Sequence, residues 1–279
     1  MIKRIEKQFA GRTLTMETGR MARQAAGSVL IQFGDTVILV ADTAQDRPTH
    51  LPFFPLTIEY REKSYAAGKI PGSFFKREGQ PGEKEILSCR FIDRSLRPLF
   101  PDGFMHETQV ACFPLSADQE NDADVWGLLG ASISLNMSNI PFSTLLAGVR
   151  IGRIQGNWVL NPTFQQLEYS DVDLIVAGSE DALLMVEGGA VEVSEEDVIQ
   201  GLEVAHQGIR ELIEFQKELL GESRPPVMEW TPFLPEEDLK VKVEEMASVR
   251  VQEALRLSEK QERSQALAAI KEEILERLV

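Results

Sequence analysis

Residues 68–99 read GKIPGSFFKREGQPGEKEILSCRFIDRSLRPL, and the way this stretch folds places most of the rest. Gly68, Pro71 and Gly72 deny its first part any helical or strand period, so it is a loop. Phe74, Phe75, Lys76 and Arg77 stand in that loop as two adjacent rings followed by two adjacent cations, and Gly79, Pro81 and Gly82 close it. A helix starts near Glu83, where Glu83 and Glu85 suit the positive end of the dipole, and Pro98 stops it. Cys89, Ile92, Leu96 and Leu99 recur at helical spacing as a core-facing stripe. Arg90, Arg94 and Arg97 recur on roughly the opposite side, within about 60° of arc. Aromatic faces stack on unpaired bases and a row of cations tracks a phosphate backbone, so the combination reads as a contact to single-stranded nucleic acid. A solvated arginine face with both rings in the core is the plainer alternative. Adjacent rings in a strand would point to opposite faces, so at most one could be buried; in a Gly/Pro loop neither has to be.

Charge is distributed in the same sense. The chain has 279 residues and a net charge of −15, which taken whole argues against a polyanion ligand. Residues 1–100, however, hold 16 Lys/Arg against 11 Asp/Glu, while residues 101–200 hold 2 against 16. One basic face on an acidic body is therefore expected. No apolar run approaches the ~20 residues of a membrane span, and residues 1–9 alternate apolar and charged, unlike a signal peptide. Cys89 and Cys112 are the only cysteines and form no C-x-x-C pair, so reduced, buried thiols in a cytoplasmic protein are expected.

Before the loop, residues 2–9, 12–17, 28–33 and 36–42 read as successive strands, with a hairpin turn at Gly34-Asp35. The strand over 36–42 is apolar on both faces and should be central. Residues 55–60 form another. After the loop helix, 108–116 is a strand, followed by an acidic loop with Asp118, Glu120, Asp122 and Asp124. A metal site is one reading of those carboxylates. A helix N-terminus, whose dipole favours acids, is the one preferred, because no histidine lies nearby. The helix over 122–138 carries Gly127, Gly130, Ala131 and Ser134, small residues that let a neighbour approach. Residues 145–154 and 157–160 form a hairpin through Gln155-Gly156, and 173–177 with 182–187 another pair of strands. Ser194 caps a long helix to residue 220. The order of elements predicts an α+β sandwich of mixed sheets with helices on one face. Domain one should span 1–220, a proline-rich linker 221–235, and an all-helical segment 236–279. Ile270, Ile274 and Leu278 keep helical period to the end, so the chain is expected to be cut from something longer. His50, His106 and His206 fall in no triad or ligand spacing and read as structural or surface residues.

On Ile70–Phe75, Arg77-Glu78-Gly79, Arg90-Phe91-Ile92-Asp93-Arg94 and Arg97–Pro101 the chain closely resembles the bacterial polynucleotide phosphorylases. Gly11-Arg12, Glu17-Thr18-Gly19-Arg20, Ala22, Gly34-Asp35-Thr36 and Met185-Val186-Glu187-Gly188 extend the match over nearly all of it. The resemblance implies the first ribonuclease PH-like domain of that family, plus the start of its all-helical domain. It implies magnesium-dependent (Mg2+), processive 3′→5′ phosphorolysis, in which inorganic phosphate attacks the terminal phosphodiester of RNA and releases a nucleoside diphosphate. It also implies a homotrimeric ring whose central channel is narrowed by the loop matched here by Phe74, Phe75, Lys76 and Arg77. The family's chemistry belongs to a second core domain with a Gly/Ser-rich phosphate turn and two metal-binding aspartates. Here the turn is Glu120-Asn121-Asp122, whose carboxylates repel phosphate, and of the aspartate pair Asp173 matches the second while Leu167 stands at the first. No catalytic or metal-binding residue is therefore assigned. A stand-alone ring scaffold, or a metal-dependent enzyme built on Asp118–Asp124, are the other functions considered.

Overall fold

A computed structural model describes residues 2–73, 79–221 and 224–278. By contacts the chain divides into Met1–Thr231 and Pro232–Val279. In the first unit, β1 (Lys3–Phe9), β2 (Arg12–Thr18), β3 (Gly27–Phe33) and β4 (Thr36–Pro48) follow one another as antiparallel neighbours. β5 (Leu56–Tyr60) and β6 (His106–Ser116) complete a six-stranded sheet in the order β1-β2-β3-β4-β6-β5, in which only β5 and β6 run parallel. β7 (Ala147–Ile154), β8 (Asn157–Leu160), β9 (Val172–Gly178) and β10 (Leu183–Ala190) make a second, wholly antiparallel sheet in the order β10-β9-β7-β8. β4 lies inside its sheet, as its two-sided apolar pattern demands: Ile38 and Val40 are buried and Val37, Leu39 and Ala41 half-buried.

The helices lie between the two sheets. α1 (Glu83–Leu96) packs on β5 and reaches β10, and α2 (Asp124–Met137) packs on β3 and β4 on one side and β7 on the other. A one-turn helix, α3 (Phe164–Leu167), follows, and then α4 (Glu195–Leu220), which packs on β1 of the larger sheet and β7–β9 of the smaller. Each sheet thus carries helices on one face, and the helices are a shared middle layer. α2 is its axis, buried from Asp124 to Asn136. Its glycines are there for contact: a Cβ on Gly130 would lie 2.4 Å from Val40 Cγ2. Trp126 of α2 packs on Phe33 at 4.4 Å between ring centroids and edge-on to Phe9 at 6.2 Å. A buried polar bridge ties α4 to the layer: Gln216 accepts from Ser132 Oγ at 2.8 Å and donates to the Leu146 carbonyl at 2.7 Å.

The segment after α4 adheres to this unit. Met228 N–H donates to Asn139 O at 2.8 Å, and Trp230 packs edge-on to Phe104 at 5.4 Å. Part of the stretch read as linker is therefore packed chain. His106 stacks on Phe104 and pairs through Nδ1 with Gln45 O at 2.8 Å, and His206 Nε2 pairs with Ser179 O at 3.1 Å.

In the second unit the helical segment is divided into α5 (Glu237–Leu255) and α6 (Lys260–Leu278). They pack as a pair through Ala254, Ile270 and Ile274, with Arg250 and Glu273 bridged at 2.5 Å. Folding back lets each short apolar stripe cover the other, which a single straight helix would leave in water. Among the described residues no helix is long and apolar enough to cross a membrane.

Candidate functional site

The loop that precedes α1 rises from a short 3₁₀ turn, Ser64–Ala67, closed by Gly68 in the left-handed region at φ 66°. Ile70 is 94% exposed. Phe74, Phe75, Lys76 and Arg77 lie outside the described residues.

The helix behind the loop divides its arginines in a way spacing alone does not reveal. Phe91, Ile92, Ser95 and Leu96 form the buried face, with Cys89 and Leu99 half-buried at its margin. Arg90 and Arg94 are exposed and border a groove of about 470 Å³ with Leu56, Ile58, Cys89 and Asp93. Neither has an ion-pair partner among the described residues. Arg97, one turn on, is captured. It forms a two-pronged pair with Asp93 at 2.6 and 2.9 Å and donates to the carbonyls of Phe54 and Leu56 at 2.9 and 3.1 Å. β5 is an edge strand, so its outward carbonyls need donors, and Arg97 supplies one to Leu56 O at the start of the strand and a second donor to Phe54 O just before it. Arg97 thus holds the edge of the sheet, and the open cations of α1 are Arg90 and Arg94. Cys89 serves the same edge by accepting from Tyr60 N–H at 3.2 Å. Burial pushes both thiols up, Cys112 furthest, so neither is a ready thiolate.

The acidic segment before α2 is neutralised from within. Asp118 Oδ1 accepts from the N–H groups of Glu120 and Asn121, both at 2.8 Å. Against the pull of partial burial, these donors, Asn121 first, hold its carboxyl below the usual range. The turn that would receive a phosphate therefore binds the chain's own anion, and Arg12 donates to the Asn121 side chain beside it. Asp122 pairs with Lys84 Nζ and Arg150 Nη1, each at 3.0 Å. Asp173 takes Arg150 Nε at 2.7 Å and Nη2 at 3.0 Å. Asp124 is buried, with Arg150 Nη1 at 3.7 Å; burial and then the Asp122 charge push its carboxyl up. Arg150 itself is held protonated by Asp173 and Asp124 in spite of its own burial.

One guanidinium on β7 thus stands among three carboxylates brought from two elements. Sequence spacing could not show this, because Arg150 is remote from the acidic loop and joins it only through the pairing of β7 with β9 and the seat of α2 on β7. Among the described residues no group of three or more His, Cys, Asp or Glu is arranged to hold a metal ion. The cleft beside Arg150, about 410 Å³, has Leu87, Phe91, Phe164 and Ile175 among its walls.

Residues 10–141 match domain 1 of the 3′ exoribonuclease family, and residues 144–208 match domain 2. The two models fall on the two halves of the sheet–helix–sheet unit. Residues 238–279 match the RNA binding domain of polyribonucleotide nucleotidyltransferase. The chain is 57% identical over 276 residues to the polyribonucleotide nucleotidyltransferase of Gemmatimonas aurantiaca, covering 99% of this chain and 38% of that one. It is 48% identical over 274 residues to that of Thermus thermophilus, covering 98% of this chain and again 38% of the relative. The chain therefore spans well under half the length of these relatives. A crystal structure of Rrp46 from rice (Oryza sativa) superposes with a TM-score of 0.59 at 18% identity, over 75% of this chain and 94% of that one, which is a likeness of fold.

Proposed function

The chain belongs to the 3′ exoribonuclease family, and from that premise we propose that it is the RNA-guiding, non-catalytic core of a phosphate-dependent 3′→5′ exoribonuclease. In the whole protein that activity degrades RNA to nucleoside diphosphates. The observation that carries the reading is the contrast in charge. Arg90 and Arg94 stand open behind the loop, whereas Asp122, Asp124 and Asp173 are turned onto Arg150.

Magnesium and inorganic phosphate do not fit the residues present here. A divalent ion would have to displace Arg150 from Asp173 and Asp122, and a phosphate would have to displace Asp118 from the N–H groups of Glu120 and Asn121. Both groups belong, on this reading, to a second core domain of the whole protein, and no step of the reaction runs through this chain's carboxylates. What this chain supplies is a grip on the strand: rings at Phe74 and Phe75 for the bases, and cations at Lys76, Arg77, Arg90 and Arg94 for phosphates. Residues 1–220 form the core, 221–235 lead out of it, and 236–279 begin a helical domain. The protein acts in the cytoplasm as a homotrimer with the strand threaded through its centre.

The test is Phe74→Ala with Phe75→Ala in the assembled protein. Affinity for single-stranded RNA should fall by about 1–3 kcal/mol per lost stack, measured by fluorescence anisotropy. Unchanged affinity would remove the rings from the RNA path and the reading with them.

A further inference from the structure

The two feet of the 68–82 loop are fastened to each other by one ion pair. On the incoming side, Arg61 follows β5 and its N–H is fixed to Cys112 O at 3.1 Å, which continues the pairing with β6. Its guanidinium then crosses to the outgoing side, where Nη2 donates to Gly79 O at 2.8 Å. Glu85, in the first turn of α1, works in the opposite sense. Its Oε1 accepts from Glu62 N–H on the incoming foot at 2.8 Å, and its Oε2 from Gly82 N–H on the outgoing foot at 2.6 Å. Arg61 Nε and Glu85 Oε1 face each other at 3.8 Å, and both side chains are largely buried, at 16% and 15% exposure. The 3₁₀ turn next to the incoming foot is docked separately, by Ala117 N–H to Ala66 O at 2.9 Å.

Building on the RNA-guiding role proposed above, we infer that Arg61 and Glu85 are positioning residues, a buckle that presents the loop to the strand without either side chain touching RNA. Neither is needed to close the core, since the bonds run to backbone groups at the two ends of the loop. The cross-links connect residues 61 with 79 and 62 with 82, so they fix where the loop leaves the fold and where it returns. The guanidinium is held at the foot of the loop by its Nη2 bond to Gly79 O and by the charge of Glu85 facing Nε.

The experiment compares Arg61→Met, Arg61→Lys, Glu85→Gln, the Phe74→Ala/Phe75→Ala pair and that pair combined with Arg61→Met, each in the whole protein and assayed on a long single-stranded RNA. Arg61→Met should raise KM by about tenfold and leave kcat at saturating RNA unchanged, because only the presentation of the loop is lost. Arg61→Lys, which keeps a donor for Gly79 O, should recover part of that loss. Glu85→Gln gives the deciding sign. Removing a negative charge beside an RNA path strengthens binding if Arg61 contacts phosphate, whereas loss of the paired N–H acceptor weakens it if the residues form a buckle. Combined with the loop-tip pair, Arg61→Met should add little, since both act through one element. An unchanged KM in Arg61→Met, or tighter binding in Glu85→Gln, while the loop-tip pair is impaired, would overturn the buckle and spare the RNA-guiding role. No effect in any of the variants would overturn both.

Discussion

On α1, Arg90 and Arg94 look outward with no carboxylate paired to them among the described residues, whereas on β7 a single arginine is enclosed by Asp122, Asp124 and Asp173. The two regions use the same residue type for opposite purposes. An arginine with its donors satisfied internally fixes structure and has nothing left for a ligand; an arginine with free donors contributes little to the fold and is available to a phosphate. Acid and base counts along the chain point in this direction, but the count is not the cause. What separates the two regions is whether the charges face one another.

The largest effect that would test this contrast is on stability. Arg150→Met leaves Asp122, Asp124 and Asp173 without their common partner. Removing one member of a buried pair strands the remaining charge. Asp173 is nearly half exposed and can rehydrate, and Asp122 retains Lys84, so the cost falls at the lower end of the usual range, about 3 kcal/mol. Urea denaturation should show it, and Asp124→Asn in the same background should recover part of it. A loss no larger than that of a surface substitution would mean that the carboxylates are not held by Arg150 at all.

A carboxylate with no cation sharpens the point. Asp42 is buried on β4; the Gly27 N–H and the Ser134 and Ser138 hydroxyls lie near its carboxyl, but the two hydroxyls are turned onto Ala131 O and Leu135 O. Burial pushes its carboxyl up to about 7. The folded protein therefore binds this proton more tightly than the unfolded chain does. The contribution is fully favourable below the ordinary carboxylate range near pH 4, is lost as pH rises toward about 7, and is flat above that. Asp42→Asn should abolish this slope and raise stability at pH 8 by about 2 kcal/mol, roughly half the full linkage because burying an amide at the same place carries its own cost. Where Arg150 settles three carboxylates with charge, Asp42 is settled by a proton. Thermal melts from pH 4 to pH 8 that run parallel for the two proteins would contradict this.

Periodicity found nearly every element of the first unit, because strands and helices with one buried face write that face into the sequence. It placed β4 inside its sheet and the small residues of α2 at a close contact. It missed what depends on pairs far apart in the chain. The Arg150 cluster is the case in point; the break between α5 and α6, by contrast, falls where residues 258–265 carry no apolar residue and the stripe lapses. On the candidate interface, spacing put Arg90, Arg94 and Arg97 on one side of a helix. Pro98 marked the end of the helix close to Arg97, but spacing could not see that carbonyls at the start of an edge strand lie within reach of Arg97 and not of the other two.

That division among three neighbouring arginines gives the prediction with the smallest effect on stability. Arg90→Ala with Arg94→Ala should change folding stability by no more than about 0.5 kcal/mol, as for open surface positions. The same pair should weaken binding of single-stranded RNA and flatten the dependence of log affinity on log salt by about 0.7 per arginine, because each cation no longer displaces a counterion from the strand. Arg97→Ala should behave in reverse. It strands the Leu56 carbonyl and leaves that of Phe54 with the Leu56 N–H alone, costs about 1–2 kcal/mol in a denaturant titration, and leaves the salt slope as it was. If Arg97→Ala flattened the slope as the other two do, the guanidinium would have to leave the strand edge for the phosphate. Affinity for RNA would then be coupled to the unfastening of β5, and the line between arginines that build and arginines that bind would not hold on this helix.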